Sequence, residues 1–89
     1  MLVLPVELTH AQATASLRLL LQGLRSETGP VVVDATALAR FDSSALAVLL
    51  ECRRESFSLG RSFAVRSLPA RLAALAGLYG VAELLAATA

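Results

Sequence analysis

The hydrophobic and polar positions of the chain follow two different periods, which predict short strands separated by amphipathic helices. Residues 2–4 (Leu-Val-Leu) form a short apolar run closed by Pro5, which has no N–H to donate to a neighbouring strand. Residues 31–33 are three valines, a pattern typical of a strand covered on both faces. Residues 62–66 alternate large apolar side chains with small or charged ones. The chain therefore contains three predicted strands.

In the segments between these strands, the apolar residues recur at helical spacing. The first helix begins at residues 9–12, where Thr and Gln have the capping-box spacing, and it stops at Gly29-Pro30. The second helix is predicted from about Ser44 to Ser58. The third begins at residues 67–69 with proline in its first turn, and residues 81–85 form a final short helix. The apolar stripes are Ala13, Leu17, Leu20, Leu21 and Leu24 on the first helix, and Leu72, Leu75, Ala76 and Tyr79 on the third.

The order of elements is β-α-β-α-β-α-α, which predicts an α/β fold: a small parallel sheet covered by helices. The chain has 89 residues, enough for one domain spanning 1–89 with a single modest core. Val6 and Leu8 are expected to prolong the first strand only as an edge or bulge. Residues 35–40 are expected to form a loop.

Composition and charge narrow the functional classes. Apolar residues make up 56% of the chain, and the formal net charge is +1 without any basic run, which argues against nucleic acid as a partner. Cys52 and His10 are the only residues of their kinds, so neither a metal cluster nor a nucleophile–base pair can be assembled from the usual parts. Cys52 falls in a helical apolar pattern and is interpreted as a small buried hydrophobe. We therefore predict no enzymatic activity, no cofactor and no metal.

The location of the protein is predicted from two absent signals. The first residues lack a basic region followed by an apolar stretch and a cleavage site, so no signal peptide is predicted. No apolar run approaches the roughly 20 residues that span a bilayer. These patterns favour a soluble, cytoplasmic protein.

The segment Arg40–Leu50 carries the most informative chemistry. Asp42, Ser43 and Ser44 stand immediately before an apolar helical pattern, at a helix N-terminus where unpaired backbone N–H groups favour oxygen ligands and negative charge. One interpretation is a plain N-cap, because Asp and Ser are favoured at that position in any protein. The other is the edge of a binding surface, with one hydroxyl capping the helix while Ser43 faces a partner.

A helical projection of the second helix shows an apolar arc wider than one packed layer requires. Ala45, Val48, Leu49 and Cys52 share the face predicted to lie on the sheet. A second group lies about a quarter turn away from that face. It consists of Leu46, Leu50, Arg53 and Phe57. The apolar members of this group either contact the third helix within the domain or border a protein-binding surface.

The segment from Val31 to Leu46 resembles the corresponding part of STAS domains, the family that includes anti-sigma-factor antagonists and the cytoplasmic tails of sulfate transporters. In that family a strand and loop lead to an Asp-Ser-Ser-Gly-Leu type motif at the start of a helix. The resemblance implies that Ser43 corresponds to the hydroxyl that is phosphorylated in the antagonists. Ala45 occupies the position that is usually glycine.

The C-terminal run from Leu68 to Val81 is similar to that of MlaB-like STAS subunits of ABC lipid transporters. This resemblance implies a non-catalytic subunit that binds and regulates or stabilises an MlaF-like ATPase at the inner membrane, in phospholipid transport for outer-membrane lipid asymmetry. The predicted partner-binding residues are Asp42, Ser43, Ser44, Leu46, Leu50, Arg53, Arg54 and Tyr79.

The same motif leaves a second function open. An anti-sigma-factor antagonist would bind an anti-sigma-factor kinase and be switched by phosphorylation of Ser43. A phosphoryl group there would add about −1.5 to −2 charges beside Asp42, enough to expel a partner.

Overall fold

The computed structural model describes residues 1–85 and confirms the predicted α/β class, with two further short strands. The predicted domain boundary at residue 89 lies outside the described residues. In chain order, the elements are β1 (Leu2–Val3), β2 (Glu7–Leu8), α1 (His10–Ser26), β3 (Val31–Asp34), β4 (Arg40–Phe41), α2 (Ser44–Ser58), β5 (Phe63–Arg66), α3 (Ala70–Leu78) and a 3₁₀ turn (Ala82–Leu85).

The three predicted strands form one parallel sheet in the order β1-β3-β5. In this sheet Val33 is in register with Leu2 on one side and with Val65 on the other. Val31 and Val33 are fully buried, whereas Val32 is only half-buried. The expectation that β3 is covered equally on both faces is therefore only partly met, because successive side chains alternate between faces and one face is less covered.

A second, two-stranded parallel sheet corrects the prediction for residues 6–8 and 35–40. Strand β2 does not prolong β1; it pairs with β4, so that Glu7 is in register with Arg40 and Leu8 with Phe41. The carbonyl oxygen of Val6 also accepts hydrogen bonds from the N–H groups of Ala39 (2.8 Å) and Arg40 (3.0 Å). Strands of two residues carry no detectable periodicity, and their partner lies 33 residues away, which is why the sequence pattern did not reveal them.

Helix α1 begins as its capping-box spacing predicts and ends three residues before the predicted Gly29 stop. The N–H of Thr9 donates to Gln12 Oε1 at 2.8 Å. At the other end, the Arg61 guanidinium donates to the carbonyl oxygens of Leu24 and Gly29, each at 2.6 Å. A cation placed there adds a hydrogen bond to the Leu24 carbonyl, which also accepts the Glu27 N–H, and opposes the negative end of the helix dipole.

Helix α2 has the predicted bounds and packs its predicted face into the core. Ala45, Val48, Leu49 and Cys52 are all buried. Full burial of a leucine such as Leu49 contributes about 1.5–3 kcal/mol relative to leaving it in water. Burial also raises the pKa of the Cys52 thiol to about 12, which fits its interpretation as a small hydrophobe.

The C-terminal third differs from the prediction in two details. Tyr79, predicted in the apolar stripe of α3 and among the partner-binding residues, lies just after the helix, which ends at Leu78 before Gly80 turns the chain with φ +73°; its side chain is 59% exposed. The predicted final helix is one turn of 3₁₀ helix over Ala82–Leu85. Leu85 is buried in the core and Val81 packs against it. This turn therefore closes the core next to α2 and β5.

Candidate functional site

The N-terminus of α2 is capped by the Asp42 carboxylate and not by a serine hydroxyl. Asp42 Oδ1 accepts a hydrogen bond from the Ser44 N–H at 2.8 Å, and the Asp42 carbonyl accepts one from the Ala45 N–H at 3.1 Å. Ser43 already has helical dihedral angles (φ −62°, ψ −16°), and its hydroxyl does not cap the helix. The expectation that one hydroxyl finishes the helix is thus wrong. Asp42 occupies the geometry of the N-cap residue.

The same carboxylate also contacts the start of α1. Asp42 Oδ2 accepts a hydrogen bond from the N–H of His10, the first residue of α1, at 3.1 Å. The two helix starts lie together because β2 and β4 run parallel and in register, and each leads directly into one helix. One carboxylate therefore serves two helix N-termini, and the His10 N–H that it accepts lies 32 residues before it in the chain.

These two hydrogen bonds determine the charge state of Asp42. The hydrogen bond from the Ser44 N–H has the larger effect and that from the His10 N–H the next largest; together they hold the pKa of the Asp42 carboxyl below its usual range. Asp42 is therefore ionised at neutral pH, and its acceptor atoms are used within the chain. Both carboxylate oxygens are directed towards the helix starts.

A groove opens beside the capped end of α2, between that helix and the segment after α3. Its volume is about 310 Å³. Four of its lining residues lie on α2 or at its cap with helical spacing, and two follow α3. The lining residues are Ser43, Leu46, Ala47, Leu50, Tyr79 and Val81.

The predicted apolar residues occupy different depths of this groove. Leu46 is only 3% exposed and belongs to the core, so it forms the floor and is not an exposed anchor. Leu50 is half-buried. Tyr79 is exposed at the wall, beside Leu78, which is 80% exposed. Leu46 therefore packs in the core, Leu50 packs against the core while staying partly accessible, and Tyr79 is exposed.

The two predicted arginines lie further along α2. The Arg53 guanidinium carbon lies 4.2 Å from the centre of the Phe57 ring, one turn later on the same helix. Arg54 lies 3.4 Å from the Glu51 carboxylate, in a solvent-exposed pair that contributes little to stability. Neither charge is buried in an internal ion pair. The C-terminal half of α2 thus presents two guanidinium groups towards solvent.

Two groove residues, Ala47 and Val81, were missed by the sequence prediction. Ala47 is exposed next to the groove and also borders a second groove between α1 and α2. The spacing of Ser43, Leu46, Ala47 and Leu50 is i, i+3, i+4, i+7, which is the signal that could have identified it. Val81 follows a turn, where periodicity gives no information.

Within residues 1–85, no three His, Cys, Asp or Glu side chains are grouped so that they could hold a metal ion. In the same range, no helix is both long enough and apolar enough to cross a membrane.

A comparison with protein families identifies the fold. The family model described as the MlaB STAS domain matches residues 1–86. The chain belongs to the STAS domain family. A search of curated proteins gives no match. STAS domains are generally regulatory or interaction domains and not enzymes.

The double hydrogen bond of Asp42 predicts a pH-dependent stability difference for Asp42→Ala. Because the folded-state pKa lies below the unfolded value of about 3.9, the charged carboxylate stabilises the fold above that value, and this contribution is lost as pH falls through the folded-state pKa. We expect Asp42→Ala to lower the free energy of unfolding at neutral pH, and the difference from wild type to narrow below about pH 3.9. Urea denaturation at pH values from neutral to below about 3.9 measures this difference in the free energy of unfolding. A difference independent of pH would contradict a role for the carboxylate charge.

Proposed function

We propose that this STAS domain is a non-catalytic subunit that binds the ATPase of an ABC phospholipid transporter through the groove beside Ser43. The observation that carries this proposal is the accessible apolar groove at the capped end of α2. Its small residues, Ser43 and Ala47, permit close approach of another backbone. Leu50 and Tyr79 offer apolar contacts, and tyrosine is enriched among the residues that dominate binding energy.

The charges next to the groove favour a partner with acidic residues at one end of the contact. Arg53 and Arg54 lie on α2 beyond Leu50, and arginine is common at the rims and hot spots of interfaces. The groove alone is smaller than a stable interface, which buries about 800 Å² on each partner. A bound ATPase would therefore contact Leu78 and the two arginines as well as the groove.

The choice of an ABC ATPase rests on the family. The matching model is described as the MlaB STAS domain, which supports a role in an Mla-type transporter for lipid asymmetry at the inner membrane. The domain would bind an MlaF-like ATPase from its cytoplasmic side and regulate or stabilise it. The STAS domain itself would supply no catalytic residue.

Ser43→Arg tests the docking surface. The long charged side chain would fill the groove and place a cation against its apolar lining, so we expect at least a ~100-fold loss of affinity for the ATPase. Binding is measured by calorimetry with the ATPase subunit recovered from the native cell. The free energy of unfolding should stay within about 0.5 kcal/mol of wild type, because Ser43 is exposed.

Ser58→Arg is the matched control for this test. Ser58 is also an exposed serine of α2, but it lies at the opposite end of the helix, away from the groove. The Ser58→Arg variant should bind the ATPase with wild-type affinity. Wild-type affinity in Ser43→Arg, or an equal loss in both variants, would contradict docking at the groove.

A second candidate function, partner switching by phosphorylation, is favoured by the accessibility of the Ser43 hydroxyl. Ser43 is exposed, and Asp42 satisfies the cap, so a phosphoryl group could be added without removing a capping hydrogen bond. The domain would then be an anti-sigma-factor antagonist, released from its kinase by the added negative charge.

Intact-mass analysis of the protein purified from its native cell separates the two functions. An ABC transporter subunit is expected to show the unmodified mass. A fraction heavier by one phosphoryl group and mapped to Ser43 would favour the antagonist and count against the transporter. The Ser43→Ala variant is the control, because it should lose any such heavier fraction.

A further inference from the structure

We infer that Asp42 is the positioning residue of the docking surface: it holds the first turn of α2, and with it Ser43, at a fixed place relative to α1. This inference rests on the proposed function, because it concerns the geometry of the same groove. Asp42 does not need to touch the partner for this role. Its two oxygens instead connect the first residue of α1 with the first residue of α2.

The connection is a long-range one, which distinguishes it from an ordinary cap. Asp34 provides the comparison within the same chain, since its carboxylate also accepts a backbone N–H, that of Thr36, at 2.9 Å. Thr36 is only two residues away, so Asp34 stabilises a local turn. Asp42 makes one bond of that local kind, to Ser44, and a second one to His10, which belongs to another helix.

The surroundings show what this second bond holds in place. Helices α1 and α2 pack against each other. Near their starts, however, a groove of about 230 Å³ separates them, with His10 on one wall and Ser44 and Ala47 on the other. The Asp42 carboxylate spans the two helix starts at this end. At this end of the helix pair, the hydrogen bond from the His10 N–H to Asp42 joins the two helix starts directly.

The hydrogen bond between the His10 N–H and the Asp42 carboxylate is called the tether below. Ala47 links this tether to the docking surface. It borders both the groove between α1 and α2 and the groove that contains Ser43. A change in the separation of the two helix starts would therefore move the shared wall of both grooves. The apparent affinity of a surface falls in proportion to the fraction of molecules that hold its competent geometry.

Asp42→Asn separates the tether from the cap. Asparagine caps helices as well as aspartate does, and its single carbonyl oxygen can accept from Ser44. Its amide nitrogen cannot accept the His10 N–H, so the contact with α1 is lost. We expect the variant to fold and to bind the ATPase about tenfold more weakly, because the competent geometry is less populated.

The test compares wild type, Asp42→Asn and the matched control Asp34→Ala. Calorimetry measures affinity for the ATPase subunit recovered from the native cell, and amide hydrogen exchange by NMR measures the free domain. In Asp42→Asn the His10 amide should exchange faster while the Ser44 amide is unchanged. Asp34→Ala should keep wild-type affinity.

Different outcomes contradict the positioning role of Asp42, its hydrogen bond to His10, and the proposed function. Wild-type affinity in Asp42→Asn, or an equal loss in Asp34→Ala, overturns the positioning role. Unchanged exchange of the His10 amide in Asp42→Asn overturns the tether itself. If the wild-type domain does not bind the ATPase at all, the proposed function fails, and the docking role of Asp42 fails with it.

Discussion

The Asp42 carboxylate is the interaction on which the geometry of the candidate site depends. It accepts hydrogen bonds from the first residues of both α1 and α2, at 3.1 and 2.8 Å. This is possible because the short parallel pair of β2 and β4 delivers both helices to the same edge of the domain. The hydrogen bonds from the Ser44 and His10 N–H groups lower the pKa of the carboxyl. The negative charge also lies where two helix dipoles favour it. The two oxygens of the carboxylate each accept a hydrogen bond from a different helix start, whereas a serine hydroxyl has only one oxygen.

Capping by Asp42 is also what leaves Ser43 free for another role. A helix start needs acceptors for its first N–H groups, and a hydroxyl used as a cap would be unavailable to a partner. Here the carboxylate fills that need, and Ser43 lies exposed on a groove with Ala47, Leu50 and Tyr79. Helix capping by Asp42 is therefore compatible with the proposed docking at Ser43. The STAS fold supplies the scaffold, and the groove beside α2 supplies the surface.

The sequence predicted those parts of the fold that depend on long apolar patterns. Helix α2 has the predicted bounds and its predicted face is buried, because fifteen residues give a clear helical period. Strands β2 and β4 were missed because two residues have no period and pair across a long stretch of chain. The depth of Leu46 could not be predicted, because a helical projection does not show how far a flank of α2 is covered by the rest of the domain. Tyr79 is exposed, as its predicted place among the partner-binding residues requires, but it lies after the end of α3 and not within it.

Hydrogen–deuterium exchange of the domain, alone and bound to its ABC ATPase, tests most directly whether the groove beside Ser43 is the docking surface. Docking there should slow exchange in the first turns of α2 and in residues 79–81, which line the groove. The exposed face of α1 around Leu19, also apolar and 68% exposed, should exchange as it does in the free domain. Slower exchange confined to α1, with α2 and residues 79–81 unchanged, would contradict docking at the groove.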